Sequence, residues 1–385
     1  MTGGDPTPPL MFHVKHRMLA LAAAAALIVL TGCGVVATPT GWAAPVASQN
    51  NLLLVQDRPG QIVALNPQDV TEVWRFPDSV KTSGGGALGD RKITGTLYAS
   101  PVVNGGSVYL ASYEGRVTRL DYDGPDLTSP WEVVLEDVTL VASPRLQGDR
   151  LIVLAEDGTI FVLSTKDGGR IATYRPTKGR VWGAPAMRGS VLYVGSLDNS
   201  DLVALNVDNG TTEWRKELAG ATAAGVAIDG DTIIVASFDR ALHGLDAGAG
   251  GTERWRFEGD GWFVGTPLVT KDAIYAATMR GTVYAVDKSG KRIWSRAHPD
   301  REFRSAPILA GDTLVIADRE GTILGLNAAD GAEKWRTEPQ GAIDADGLLL
   351  ESSLFYITTS RALLRVDPAN GAIRSFNTQP PDGSK

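Results

Sequence analysis

The chain has 385 residues, 43% of them hydrophobic and 21% charged, which is typical of a soluble globular protein with a sizeable core. Its formal net charge is −7, so the composition argues against a basic phosphate-binding surface and against nucleic acid as a partner. The 44 glycines and 21 prolines recur at intervals along the chain, which indicates regularly spaced turns.

The N-terminal segment has the pattern of a secretory signal peptide. A positive stretch ending at Arg17 precedes the apolar run 18–30, which is shorter than the about 18 residues that a membrane-spanning helix needs. The Leu-Thr-Gly sequence before Cys33 resembles the bacterial lipobox. That resemblance implies cleavage before Cys33 and acylation of its thiol. The alternative is a plain signal peptide that is cut elsewhere, near residues 43–44.

The body of the chain is a repeat. Segments of the type GTVYAVDKSGKRIW (281–294) occur eight times, each with an apolar run, an Asp or Asn, a turn and a closing aromatic residue. The closing aromatics are Trp74, Trp131, Tyr174, Trp214, Trp255, Trp294, Trp335 and Phe376. They follow one another about every 41 residues, except across the longer first spacing, which contains the extra segment 81–95.

Each repeat contains four short apolar runs rich in Val, Ile and Tyr, separated by turns that leave no room for helices. These runs predict an antiparallel meander. In the third run, Val283 and Ala285 alternate with Tyr284 and Val286, so both faces of the strand are apolar and the sheet is expected to be covered on both sides. Eight such units predict an all-β, eight-bladed β-propeller of four-stranded antiparallel blades.

The aromatic that closes each repeat is expected to wedge between neighbouring blades, and the polar residue that ends each third strand is expected to accept N–H groups in the next turn. In seven of the eight repeats these polar residues are Asn66, Asp121, Asn206, Asp246, Asp287, Asn327 and Asp367. The predicted organisation is a signal peptide with a lipobox at 1–32, a lipidated tether at 33–41, the propeller at 42–376 and a tail at 377–385.

The repeat unit resembles the PQQ-like repeat of quinoprotein-type propellers, and it lacks the Gly-His and Trp-Asp pairs of WD40 repeats. Together with the lipobox, it resembles the lipoprotein subunit that assists β-barrel assembly in the outer membrane. This resemblance implies a non-enzymatic scaffold without a cofactor, in the cell envelope outside the cytoplasm. Its partners would be envelope proteins, among them a β-barrel assembly subunit, and the membrane through a lipid on Cys33. We expect a monomeric propeller.

Two other functions remain open. A quinone-dependent dehydrogenase would share the fold, but such enzymes commonly carry a pair of adjacent cysteines over the cofactor, and Cys33 is the only cysteine here. A ligand-binding or sensory propeller for a small molecule or a wall polymer would be favoured by an open channel with polar residues.

The other motifs give little evidence of a metal site or a catalytic site. The two histidines of the body, His243 and His298, are too few and too far apart for a metal site or a catalytic triad. His243 lies in a third strand and is expected either to pack or to face the channel. The acidic stretches 121–126 and 344–347 resemble pieces of calcium loops without the full ligand order, so turn chemistry is preferred.

The best candidate for partner contact is the inserted stretch 81–95. It breaks the period, is rich in glycine and carries Lys81, Arg91 and Lys92 on an otherwise acidic protein. Three aromatics that precede first strands, at 182, 262 and 263, either line a rim or pack in the interior. No catalytic residue and no metal ligand is predicted.

Overall fold

The computed structural model describes residues 43–58, 60–77, 95–338 and 340–377, with the main chain alone at Arg58. Within these ranges the regular elements are thirty-two β-strands and no α-helix. The strands form eight four-stranded sheets, each made of four consecutive strands in meander order. All pairings within the sheets are antiparallel, for example that of β22 with β23. The predicted eight-bladed propeller is therefore confirmed.

The first four blades follow one another along the chain. Blade 1 comprises β1 (Val46–Ala47), β2 (Leu53–Arg58), β3 (Gln61–Leu65) and β4 (Glu72–Phe76). Blade 2 comprises β5 (Val102–Asn104), β6 (Ser107–Ala111), β7 (Arg116–Asp123) and β8 (Asp126–Val134). Blade 3 comprises β9 (Arg145–Gln147), β10 (Arg150–Leu154), β11 (Ile160–Ser164) and β12 (Arg170–Tyr174). Blade 4 comprises β13 (Ala186–Arg188), β14 (Val191–Gly195), β15 (Asp201–Asn206) and β16 (Thr212–Glu217).

The remaining four blades repeat the arrangement. Blade 5 comprises β17 (Ala227–Asp229), β18 (Thr232–Ala236), β19 (Ala241–Asp246) and β20 (Glu253–Glu258). Blade 6 comprises β21 (Leu268–Val269), β22 (Ile274–Ala277), β23 (Thr282–Val286) and β24 (Arg292–Ala297). Blade 7 comprises β25 (Ile308–Ala310), β26 (Thr313–Ala317), β27 (Ile323–Asn327) and β28 (Glu333–Arg336). Blade 8 comprises β29 (Leu348–Leu350), β30 (Ser353–Ile357), β31 (Ala362–Val366) and β32 (Ile373–Asn377).

The hydrophobic core is divided among the blade interfaces. Successive side chains of a strand point to opposite faces, so the third strand of each blade contributes to two interfaces. In β23, Val283 packs in the cluster shared with blade 7, whereas Tyr284 packs in the cluster shared with blade 5. Every residue of this strand is buried. The two apolar faces that the sequence shows are thus both covered by neighbouring blades.

The closing aromatic of one blade lies against the turn between the third and fourth strands of the next blade. At six successive interfaces a Cβ atom added to a glycine of that turn would approach the aromatic ring within 2.9 Å. The pairs are Trp131–Gly168, Tyr174–Gly210, Trp214–Gly251, Trp255–Gly290, Trp294–Gly331 and Trp335–Gly371. Glycine at these positions therefore leaves the space that each ring occupies.

Four of the indoles also donate a hydrogen bond across the interface. In each case Nε1 lies 2.9 Å from a main-chain carbonyl oxygen of the next blade, and the pairs are Trp131–Thr165, Trp214–Ala247, Trp294–Ala328 and Trp335–Pro368. The Nε1 atoms of Trp74 and Trp255 are buried without an acceptor among the described residues. The hydroxyl of Tyr174 likewise donates to the carbonyl oxygen of Val207 in the next blade at 3.3 Å. The closing aromatic thus supplies packing at each of the six interfaces and a directional bond at five of them.

Blade 2 departs from the repeat. Its β7–β8 hairpin continues to a pair formed by Asp123 and Asp126, so Asp121 lies within the strand and not at its end. The expected turn bond at Asp121 is therefore absent, and its carboxylate accepts from Ser107 Oγ at 2.6 Å instead. The other six predicted polar residues each accept the N–H two positions ahead. Trp74 correspondingly meets Tyr122, with ring centroids 5.9 Å apart, where other blades offer a turn glycine.

The ring closes between blades 8 and 1 without exchanging a strand, because each of these blades is built from four consecutive strands. An apolar cluster joins residues such as Val55 of blade 1 to Phe355 of blade 8. The Arg365 side chain donates to the carbonyl oxygen of Gln68 at 2.6 Å, and Arg361 Nη1 lies 3.3 Å from the carbonyl oxygen of Gln56. We call this interface the seam.

A glycine-to-alanine pair tests the strand turns. Gly281 has φ +83°, and a Cβ there would lie 2.1 Å from the carbonyl oxygen of His298, whereas Gly311 has φ +62° and no atom within 4 Å of such a Cβ. Left-handed φ costs an alanine about 1–2 kcal/mol at both sites, and the clash adds at least about 1 kcal/mol at Gly281 alone. In urea unfolding, Gly281→Ala should lose about 2–3 kcal/mol and the matched control Gly311→Ala about 1–2 kcal/mol. Equal losses would contradict the close contact.

Candidate partner-binding face

The meander places two kinds of connection at the same end of the propeller. Successive strands of a blade run in opposite directions, so the turns between second and third strands lie at the end where one blade connects to the next. We call this end the upper face. The turns between first and second strands and between third and fourth strands lie at the opposite end, the lower face. Connections that vary while the strands repeat are the usual site of binding.

Several predicted functional residues lie outside the described residues. These are Cys33 with the whole signal segment, and Lys81, Arg91 and Lys92 of the inserted stretch. The described residues between this stretch and β5, 95–101, lie at the upper face. They are anchored there, since the N–H of Thr96 donates to both carboxylate oxygens of Glu114 at 3.1 and 3.0 Å. Beyond it, the rings of Tyr98 and Tyr113 lie 5.1 Å apart.

The three aromatics that precede first strands divide into two roles. Trp182 is 43% exposed and Trp262 is 38% exposed, whereas Phe263 is fully buried in the interface of blades 5 and 6. Trp182 and Trp262 belong to inter-blade connections and so to the upper face. Exposed tryptophans are uncommon on a surface without a partner and are enriched at the centres of protein interfaces.

Trp182 is held by polar neighbours from two blades. Its Nε1 donates to Glu156 Oε1 at 2.9 Å, and the guanidinium carbon of Arg180 lies 5.7 Å from the ring centroid. Arg180 is in turn paired with Asp198 at 2.8 Å. The hydrogen bond from Arg180 holds the pKa of Asp198 below its ordinary value, so this carboxylate is ionised at neutral pH. The indole is therefore fixed in place while much of its surface remains accessible.

Trp262 is stacked on Phe238, with ring centroids 5.2 Å apart and planes 17° from parallel. Two exposed arginines, Arg240 and Arg280, occupy the strand turns of blades 5 and 6, and neither forms an ion pair with a described residue. The Arg280 side chain lies against Gly261, next to Trp262, where an added Cβ would be 2.9 Å from its Cγ. Aromatic rings next to unpaired arginines are the side chains that protein interfaces use most.

The two histidines of the body are buried, and Asp346 makes a hydrogen bond to the main chain. His243 is buried, with Nδ1 2.8 Å from Glu253 and Nε2 3.1 Å from Asp239, so it packs within its blade as expected. Burial lowers the pKa of His298. Asp346 accepts the N–H of Ala306 at 2.6 Å and so serves the backbone. Residues 43–58, 60–77, 95–338 and 340–377 contain no group of three or more His, Cys, Asp or Glu residues placed to hold a metal.

Sequence reasoning missed four members of this surface, namely Phe238, Arg180, Arg240 and Arg280. Arg240 stands in a strand turn where most other blades carry a glycine, so its departure from the repeat was a usable signal. Phe238 gives no such signal, because Tyr113, Leu197 and Met279 hold the same place in other blades. A search of the described residues for helices long and apolar enough to cross a membrane finds none.

Comparison with known proteins identifies the repeat. The family model described as "Outer membrane protein assembly factor BamB" matches residues 31–199, 128–222, 198–346 and 279–377. A protein of that name from Xanthomonas campestris pv. campestris is 35% identical over 82 residues, which is 19% of this chain and 20% of the relative. Another from Nitrosomonas eutropha is 29% identical over 126 residues, 33% of this chain and 26% of the relative. The chain thus spans about a quarter or less of these relatives in sequence.

Solved structures with the same architecture are more distant in sequence. BamB from Moraxella catarrhalis superposes with a TM-score of 0.67 at 18% identity, covering 84% of this chain and 92% of that one. The computationally designed protein Ika8 gives 0.64 at 14% identity, covering 72% and 86%. At these identities the likeness concerns the fold alone. Since the family model covers nearly the whole propeller, the chain belongs to the family of the outer membrane protein assembly factor BamB, as a PQQ-like repeat propeller.

Proposed function

We propose that this protein is a lipid-anchored, non-enzymatic scaffold of the cell envelope that assists the assembly of outer-membrane proteins. The match of the BamB family model along the whole repeat carries this proposal. The upper face supports it, because its exposed tryptophans and unpaired arginines suit a protein partner and are held on rigid blades. The partner would be a subunit that forms or assembles β-barrels.

The contact surface that we assign to this partner is the upper face at blades 3 to 6, together with the inserted stretch that carries Lys81, Arg91 and Lys92. The two exposed tryptophans supply apolar area at little cost in side-chain entropy, since a rigid indole has only two rotatable bonds. The arginines supply charge that a partner carboxylate would pair. The lipid on Cys33 would hold the propeller at the membrane where such a partner is found.

Site-specific photo-crosslinking in intact membranes tests the surface. A photoreactive phenylalanine derivative at position 182 or 262 should crosslink to a barrel-assembly subunit, identified by mass spectrometry. The same group at Lys271, an 88% exposed residue of the lower face, should not. Crosslinks that are equal at all three positions, or that never include an envelope assembly protein, would refute the assignment.

A double substitution measures the contribution of the tryptophans. Trp182→Ala with Trp262→Ala should lower the yield of the complex by roughly tenfold or more, because truncating an exposed interface tryptophan removes at least about 1.4 kcal/mol of binding. The unfolding midpoint should hardly change, since both side chains are substantially exposed in the free protein. Truncating Ile171, which is 53% exposed on the outer strand of blade 3, is the matched control and should leave the complex intact.

Lipid anchoring has its own test. Cells grown with a labelled fatty acid should transfer the label to the wild-type protein and not to a Cys33→Ser variant, which should also leave the membrane fraction on washing. Label on the Cys33→Ser variant would overturn the anchoring, and it would leave the partner surface to be judged by the crosslinks alone.

A further inference from the structure

One position of the inner wall breaks the repeat with a charge. The first strands form the inner edges of the blades, and those of blades 5 and 6, 7 and 8, and 8 and 1 are in contact. Each blade has an equivalent residue in its first strand, paired in the same register with its second strand. Seven blades carry an apolar residue at this position, namely Val46, Val102, Ala186, Ala227, Leu268, Ile308 and Leu348. Blade 3 carries Arg145. Departures of this kind from an otherwise consistent pattern concentrate at functional sites.

The Arg145 guanidinium lies at the inner edge between blades 3 and 4. Its Nε donates to the carbonyl oxygen of Pro185 at 2.7 Å and its Nη1 to that of Pro144 at 3.1 Å. No carboxylate of the described chain pairs with it. Burial lowers the pKa of this guanidinium, with no nearby charge to offset the effect. A half-buried charge that lacks a counter-ion is destabilising, so an arginine here needs a reason other than stability.

The backbone beside Arg145 also offers hydrogen-bond donors without acceptors. Just before its first strand, each blade has a main-chain N–H that faces the equivalent residue of the next blade. This N–H is hydrogen-bonded wherever that equivalent residue has a side-chain oxygen. These bonds are Ala44 to Ser100, Ser100 to Ser143, Gly225 to Thr266 and Ala306 to Asp346, at 3.1, 3.0, 3.0 and 2.6 Å. The equivalent of Ser143 in blade 4 is Ala184, and the equivalent in blade 5 is Gly225. Neither of these has a side-chain oxygen, so the N–H groups of Ser143 and Ala184 have no acceptor in the described part of the chain.

We propose that the inner edge of blades 3 and 4 binds an oxyanion, a carboxylate or phosphate group, through the guanidinium of Arg145 at the wall of the central channel. A planar guanidinium with donors left after its two carbonyl bonds matches such a group better than any other side chain. The unbonded N–H groups of Ser143 and Ala184 add positive potential at the same edge. The site adjoins the partner surface, because Ser143 and Ala184 belong to inter-blade connections of the upper face, but it uses none of the side chains assigned to the partner.

Thermal unfolding at constant ionic strength tests the site. Inorganic phosphate and citrate are titrated against sodium chloride as the reference salt. Binding to the folded state alone should raise the Tm of the wild type by roughly 2 °C or more at saturation. Arg145→Gln should abolish the rise, whereas Arg292→Gln, which removes an exposed arginine of the outer strand β24, should keep it. A rise in Tm with phosphate alone would identify a phosphate group as the ligand, and a rise with citrate alone would identify a carboxylate.

A second variant keeps the test decisive if Arg145→Gln folds poorly. Arg145→Leu restores the residue type of the other seven blades, so it should fold, keep or raise its Tm in chloride and show no response to either anion. A wild-type Tm that is the same in phosphate, citrate and chloride would overturn the proposal. So would an anion response that persists in Arg145→Leu.

Discussion

Replacing Asp57 with alanine is expected to lower the free energy of unfolding by about 3–5 kcal/mol. Asp57 is fully buried at a β-bulge of β2, where it pairs with the buried Arg75, and its charge also acts on Arg361 across the seam. Without the carboxylate, Arg75 keeps its ion pair with Glu72 at 2.7 Å, but the guanidinium groups of Arg75 and Arg361, both less than 10% exposed, lose the buried negative charge that they share. Urea unfolding followed by tryptophan fluorescence measures the loss.

The matched control for Asp57 is an exposed carboxylate. Asp272 lies 3.8 Å from Lys271, and both side chains are more than three-quarters exposed, so Asp272→Ala should leave the unfolding midpoint unchanged. Comparing the two variants separates the effect of burying a paired carboxylate from the effect of removing a negative charge. A loss at Asp57 as small as that at Asp272 would show that the seam does not depend on this ion pair.

Replacing Trp294 with alanine should cost about 3–5 kcal/mol, the range for removing a large aromatic from a core. The indole is 7% exposed, its ring fills the space above Gly331, and its Nε1 donates to the carbonyl oxygen of Ala328. The loss combines the transfer of apolar area to water with a cavity between blades 6 and 7. Urea unfolding again provides the measurement.

Two further variants separate the contributions to the loss of stability in Trp294→Ala. Trp294→Phe keeps most of the packing and removes the hydrogen bond, which contributes about 1 kcal/mol, so it should fall between alanine and the wild type. Trp182→Ala removes an indole that is 43% exposed and should cost much less than Trp294→Ala. Similar losses at the two tryptophans would contradict the role of Trp294 as a wedge between blades.

The repeat explains why the fold could be predicted in full. A strand that is apolar on both faces, as at Val283 and Tyr284, has few alternatives to a blade stacked between two others, and eight copies of it determine the number of blades. The turn bonds at residues such as Asp287 were predictable for the same reason, since local chemistry is repeated with the strand. Asp121 is the exception, because a comparison of equivalent residues between repeats does not reveal that the β7–β8 hairpin is longer than the others.

The candidate site was only partly predictable, since the connections that form it do not repeat. Nothing in the pattern separates Trp262, which is exposed, from its neighbour Phe263, which is buried; only the packing of blade 6 decides. Arg145 is the opposite case. Its departure from seven apolar residues is visible in the aligned repeats. The departure becomes interpretable only in the structure, where the register places this position in the first strand and no described carboxylate pairs with the guanidinium.

The seam has a consequence for the order in which the protein folds. Seven interfaces join blades that are adjacent in the chain, whereas the eighth joins residues as far apart as Gln56 and Arg361, separated by 305 positions. Closing a longer loop costs more chain entropy, so blades can stack one after another as the polypeptide emerges, and the circle is completed last. By the same reasoning, blades 1 and 8 part first when the ring unfolds, and amide hydrogens at this junction should exchange before those of blades 4 and 5.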